Sequence, residues 1–438
     1  MSAVASTNLY DKLIADFGAY ETNINGEANS PFHTKRKLAL DFFKANGFPT
    51  TKNEAWKYTS LKEFQSHEYA SILSNKINEK LDVSPWLPQG FEGQIMVFIN
   101  GAFSAVNSSV IEDSRVTISH IKADGVDINV VGEIERKYDE PVSALNTAFF
   151  KDGLYVNIAD NQQVEQPVFV LFLTDSQAGN CLWHGRSFVK IGQNSRVDIT
   201  LCFDNLSTNN ESANTFVTEI EAARDANIQY NIIQQSCSLE RTLNSTYTKQ
   251  GQGANVACST FSLGGKLIRN GLNMSFAEAH SEAFMNGLFL CDGSQLVDNH
   301  TLVDHVEPNC MSDELYKGIM TDKSKGVFNG RIYVHLDAQK TNAYQTNRNV
   351  VLSDTAAVYT KPQLEIYADD VQCSHGCTIG QLDEDALFYM QARGINKLEA
   401  RKLLLKSFAG EVVDRVENET VKNHIYGLIE SKLEKITA

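Results

Sequence analysis

A loose motif returns through the middle of the chain: "SRVDI" at Ser195, "ANIQY" at Ala226, "ANVAC" at Ala254 and "SEAFM" at Ser281. Each copy sets a small residue ahead of alternating side chains, and the steps are 31, 28 and 27 residues. No copy is long enough to bury an apolar face by itself, so neighbouring copies must cover one another. A chain winding one coil per copy does this, and a parallel β-helix is the expected architecture. A β-sandwich is the competing arrangement, but it needs more tight hairpins than the few Asn-Gly pairs supply.

The same texture extends well beyond the motif. From about residue 93, short β-rich runs such as "GLYVNIAD", "SFVKIGQNSRVDITLCF" and "GVFNGRIYVHLDAQ" are broken by Gly, Asn and Asp. Both flanks read as helical. In "NSPFHTKRKLALDFFKANG", Ser30 suits the N-cap, Pro31 the first helical position and Gly47 the end. In the following "NEAWKYTSLKEF", Trp56 and Tyr58 read as an aromatic anchor on the body. Near the other end, "LDEDALFYMQARG" is acidic at its start, and Asn396 and Glu399 open the next helix with capping-box spacing. Leu403, Leu404, Phe408, Val412 and Val416 are expected to form its apolar face. The chain thus divides into a helical domain (1–90), a mainly β core (91–381) and a second helical domain (382–438).

Charge and hydropathy exclude several functions. A net charge of −15 argues against binding nucleic acid or docking on an anionic membrane. The longest apolar run, "VFVLFL" at 168–173, is far short of the roughly 20 residues of a membrane span. The start lacks the pattern of a secretory signal, so the cytosol is the expected compartment. The eight cysteines are then expected to be reduced. Six of them (Cys181, Cys202, Cys237, Cys258, Cys291 and Cys310) read as small buried residues.

There is no G-x-x-x-x-G-K-[ST], so the chain is not expected to bind ATP through a P-loop; G-x-S-x-G, H-E-x-x-H and C-x-x-C are also missing. Two clusters remain. In "DNHTLVDHVEPNC", the Val and Thr content and Pro308 favour strand and turn, so His300, Asp304, His305 and Cys310 read as structural or surface residues. In "DDVQCSHGCTIG", Cys373, His375 and Cys377 alternate, which puts them on one side of a strand. Thiolates and imidazole suit zinc, copper or an iron–sulfur species. Yet alternate residues lie about 6.6 Å apart, so one metal cannot take all three on a straight strand. Either Gly376 bends the chain or another chain completes the site. Metal or cluster binding, buried packing and nucleophilic catalysis all stay open on these residues alone.

The stretch "TKPQLEIYADDVQCSHGCTIGQLDEDALFYMQARGI", with "NEAWKYTSL" and "VFNGRIYVHLDAQKTNAYQTNRNVVLS", resembles the SufB/SufD family of the SUF iron–sulfur cluster assembly machinery. The likeness spans nearly the whole chain. It implies a right-handed parallel β-helix flanked by helical domains, and a scaffold role without turnover. It also implies a complex in which SufB pairs through the β-helix ends and the SufC ATPase docks on the C-terminal helices and hydrolyses ATP. The family's functional histidine maps onto His375 and its motif cysteine onto Cys373, at an interface holding iron or a nascent cluster. Gly376 matches the SufD branch, since the SufB branch carries Glu after its His. The role of Cys377 does not carry over; it reads as an additional ligand or, by preference, a buried small residue. A homodimer of the isolated chain is also open. Two rivals are a β-helix enzyme acting on polysaccharide, which predicts secretion and a groove of clustered carboxylates, and a self-contained metal-binding structural protein, which predicts stoichiometric zinc.

Overall fold

The computed structural model describes residues 8–23, 30–71, 79–110, 115–122, 127–135 and 140–437. Its centre is a two-sheet parallel β-solenoid of about 8 turns, with helices at both ends of the chain. Successive strands alternate between two ten-stranded sheets, so each strand pairs with the strand two places on. These pairings are parallel, which rules out the sandwich; antiparallel pairs occur at the N-terminal end, where Gln94–Ile99 meets Ala102–Phe103 and Val116–His120 meets Gly153–Ile158.

The sequence motif marks one corner of each coil. Arg196, Asn227, Asn255, Glu282, Met311, Asn342 and Gln372 form one column, each paired with the next. Just before the first six stand Ser195, Ala226, Ala254, Ser281, Cys310 and Thr341, all buried. Before each of those comes a residue with positive φ: Asn194, Asp225, Gly253, His280, Asn309 and Lys340. Left-handed backbone turns the chain, and Asn, Asp and Gly adopt it most readily. The small residue follows because the corner is buried and has no room for more.

Inside the bore the coils change character along the axis. The N-terminal half is packed with rings, Phe172 stacking on Phe98 at 4.8 Å and on Phe203 at 5.2 Å. Towards the C-terminal end the lining turns polar, with Glu314, Gln345, Asn347 and Asn349 all buried. Tyr316 reaches across Gly287, where a Cβ would lie within 2.1 Å of the ring, so glycine is required there.

The N-terminal helices, Leu9–Asn23 and Pro31–Asn46, pack outside the first coils, and Ser30 Oγ accepts from His33 N at 3.0 Å as expected of an N-cap. A further helix, Pro141–Phe149, interrupts the β region where the sequence showed no helix. Its signals were local: Pro141 at its start and Glu140, whose carboxylate accepts from Ser143 N at 2.7 Å. This helix covers Arg186 and Glu219, which are buried and paired at 2.6 Å. The Arg186 guanidinium also donates to Thr147 Oγ1 at 2.6 Å and Asn146 Oδ1 at 3.2 Å.

The helices Lys397–Val413 and Glu419–Thr437 pack on the second sheet, and Glu384–Ala392 packs against Lys397–Val413. The buried face of the middle one is Leu405, Ala409, Val412 and Val413, continued by Val416. That corrects the expected face. Leu403 is 40% exposed and Leu404 and Phe408 are half-buried, because a residue two places before Leu405 is turned about 200° from it. Ion pairs join these helices to the sheet: Lys317 and Arg348 to Glu411, Arg415 to Asp313 and Lys432 to Asp292.

Among the described residues, no helix is long and apolar enough to cross a membrane.

Candidate functional site at the open end of the solenoid

The last coil has no successor. Its strands, Ala357–Ile366 and Gln372–Gly380, end the two sheets, and each is bonded on one side only. In the previous coil the residues that face the bore are Ala343, Gln345, Asn347 and Asn349, all buried. Register places Cys373, His375, Cys377 and Ile379 directly over them. The three candidate residues therefore do share one face, and that face looks into the mouth of the bore.

Opposite them stand Val358, Thr360, Pro362 and Leu364. Thr360 Oγ1 lies 2.9 Å from Cys377 Sγ, which confirms that the two strands face each other across the opening. His375 is exposed. Cys373 is half-buried against the cluster of Ala338, Ala343 and Leu364, and burial pushes its thiol up from the usual range. The preference for Cys377 as a buried small residue is overturned: it is exposed, because no further coil covers it.

Nor does Gly376 bend the strand. It pairs with Thr346 like its neighbours, and the ladder continues to Gly380. Among the described residues, no three His, Cys, Asp or Glu side chains gather as a metal site. The mouth offers soft and borderline donors suited to iron or zinc, but they are strung along a strand and do not close around one ion.

The second cluster separates. His305 is buried in the bore, 2.9 Å from Ser312 Oγ, and burial holds its pKa down at about 3. Asp304 lies on the outer face, 2.8 Å from His335 Nε2. Cys310 fills a coil corner, and His300 lies on the outer face against Asp298. His300, Asp304 and His305 lie on the strand Leu296–His305 and Cys310 at the turn before Met311, as the strand-and-turn reading expected, and the four do not come together. Of the six cysteines read as buried, Cys237 is half-buried and the other five are buried.

The "NEAWKYT" segment straps the outer face near the mouth. The Arg269 guanidinium lies 3.8 Å from the centre of the Trp56 ring, and Tyr58 stacks on Tyr359 at 4.3 Å. Glu54 pairs with Lys361, and Thr59 bonds Asp298, which also pairs with Arg269. The anchor reading of Trp56 and Tyr58 holds, and the strap reaches the last coil itself. Burial alone would raise the Asp298 carboxyl, but Arg269 and His300 hold it down at about 2, against an ordinary 3.8.

A depressed acid stabilises above its unfolded value and loses that contribution as pH falls through its folded one. Between pH 5 and pH 2 the protein is therefore expected to lose about 2 kcal/mol more than its Asp298→Asn variant. Denaturant titrations at both pH values measure the difference, and parallel losses in the two proteins would refute it.

The fold and the site define the class: a parallel β-solenoid whose last coil carries a histidine and two cysteines on an unpaired edge strand. The comparisons name the family. "SUF system FeS cluster assembly, SufBD core domain" matches residues 172–408, and "SufBD protein N-terminal region" matches residues 7–170. An iron–sulfur cluster assembly SufBD family protein of Synechocystis is 30% identical over 411 residues, covering 90% of this chain and 89% of the relative. The iron–sulfur cluster assembly protein SufD of Escherichia coli is 27% identical over 389 residues, covering 88% and 90%. The protein ABCI7, chloroplastic, of Arabidopsis thaliana is 25% identical over 415 residues, covering 91% and 86%.

The chain belongs to the SufBD family, and its role lies in the SUF machinery for iron–sulfur cluster assembly. The polysaccharide-active and self-contained metal-binding readings have no support in these matches.

Proposed function

We propose that this chain is the non-catalytic, SufD-like scaffold subunit of a cytoplasmic SUF complex. It pairs edge to edge with SufB through the open coil and carries the SufC ATPase on its C-terminal helices, and that partner supplies ATP hydrolysis. One observation carries the reading. The strand bearing His375 and Cys373 is also the strand whose backbone is unpaired, so the chain that extends the sheet arrives beside those donors. His375 then contributes a neutral imidazole and Cys373 a thiolate to iron or a nascent cluster, and the partner supplies the remaining ligands. Cys377 is close enough to the same opening to add a thiolate, with its sulfur held at Thr360.

The exposed apolar side chains fit two docking faces. Tyr344, Tyr367 and Ile379 stand out near the open end, where SufB is placed. Phe388, 73% exposed, with Tyr389, Leu398 and Leu403, faces away from the solenoid on the C-terminal helices, where SufC is placed.

Co-expression with SufB and SufC of the same organism tests the assignment. A stable complex is expected, and Phe388→Asp is expected to release SufC while SufB stays bound. A chain that elutes free of both partners would overturn the reading.

A further inference from the structure

His375 sits at the head of an interior column whose lower members are unusual. Register runs downward from His375 to Gln345, Glu314, Met285, Cys258 and Tyr230. Met285, Cys258 and Tyr230 line the apolar bore; Gln345 and Glu314 do not match it, although each is 1% exposed. Gln345 Nε2 donates to Glu314 Oε2 at 2.7 Å. Gln345 Oε1 is buried and has no hydrogen-bond partner. A buried acceptor left unpaired costs stability, so a chain that keeps one needs a reason.

The facing strand reserves space for this amide. At Gly330 a Cβ would stand 2.3 Å from Gln345 Nε2. The polar pair is therefore built in from both sheets, and beneath it the column returns to apolar side chains.

We propose that Gln345 is the positioning residue for His375, and that Glu314 holds Gln345 in the orientation this requires. The inference rests on the ligand reading of His375 and deepens it. Neighbouring strands are about 4.8 Å apart, so the His375 ring turned towards the bore meets the Gln345 amide directly below it. A neutral imidazole has one N–H and one lone pair. Donating the N–H to Gln345 Oε1 fixes the tautomer and leaves the other nitrogen's lone pair for a cation at the mouth. Glu314 Oε2 already accepts from the amide NH₂, so the amide oxygen is the arm left free for His375.

The test is nitrogen-15 NMR of the full-length chain labelled at its ten histidines, with His375→Ala assigning the signal. One dominant neutral His375 tautomer with a slowly exchanging N–H is expected. Gln345→Met, close in size, is expected to lose that N–H and let the two tautomers average. Gln345→Glu keeps an acceptor and is expected to retain a single tautomer. If Gln345→Met does not fold, Glu314→Gln gives the same readout, because a neutral amide no longer dictates which arm of Gln345 points upwards. Unchanged His375 signals in the folded variant, or averaged tautomers in the natural chain, would overturn the proposal. In the assembled complex, ferrous iron alone is expected to bind roughly 10–100-fold more weakly to Gln345→Met. Should His375→Ala still assemble clusters while Gln345 fixes the tautomer, the ligand reading falls and the positioning stands.

Discussion

Anaerobic reconstitution of the SUF complex with His375→Ala in this chain is expected to give an intact complex and at least about tenfold less cluster. The argument has two parts. Removing an exposed side chain from the outermost strand breaks no packing, so stability should stay within about 0.5 kcal/mol of the natural protein. Removing the imidazole takes away the donor that stands over the centre of the mouth, and Cys373 and Cys377 on either side of it are about 13 Å apart along the strand, too far to share one ion. Iron and sulfide content, with the visible absorbance of the complex, measures the effect. Natural yield together with natural maturation of iron–sulfur enzymes in cells would end the assignment of His375. Cys373→Ser in the same assay separates a thiolate donor from a packing residue, since the half-buried Cys373 touches both the opening and the cluster around Leu364.

The second large effect is on stability. Arg186→Met is expected to cost about 3–5 kcal/mol, because it strands Glu219 in a buried site. Glu219 is 0% exposed and its carboxylate also accepts from Gly132 N at 2.7 Å and Ile134 N at 2.9 Å. Glu135 lies 3.6 Å from the same guanidinium, and burial pushes its carboxyl well up from the usual range. Without Arg186 both acids face a low-dielectric site with no cation in the pair. Adding Glu219→Gln to Arg186→Met should recover part of the loss, since an uncharged amide is cheaper to bury. Urea titration of the two variants checks both signs. Equal stability of Arg186→Met and the natural chain would show that the triad carries little.

Much of the solenoid is legible in the amino-acid sequence, and the reason is geometric. A coil corner needs left-handed backbone and then a small side chain, so Asn194-Ser195, Asp225-Ala226 and Gly253-Ala254 leave a periodic trace. Beyond Ser281 the corner is filled by Cys310 and Thr341, and although Asn309 keeps the turn residue, Lys340 does not, so the trace fades. The helix Pro141–Phe149 escaped because it is only nine residues long within a β-rich stretch and buries the polar Ser143, Asn146 and Thr147 along with Val142 and Leu145.

The site was legible in part. Alternation placed Cys373, His375 and Cys377 on one face, but only the end of the stack decides that this face is open. For the same reason Cys377, left between a further ligand and a buried small residue, proved exposed. Gln345 and Glu314 carried no signal at all. They lie 30 and 61 residues before His375, and register alone brings them beneath it.

The strap from Glu54 to Thr59 gives the mouth a mechanical connection. Lys361, on the edge strand, is held by a residue 307 positions earlier in the chain. Tension applied to the last coil is therefore shared with Trp56 and Arg269, and passes through them into the wall of the solenoid several strands back. A partner that pulls on the edge strand works against a fastened hem, because a stacked pair of tyrosines and one ion pair add to the ladder that already holds that strand.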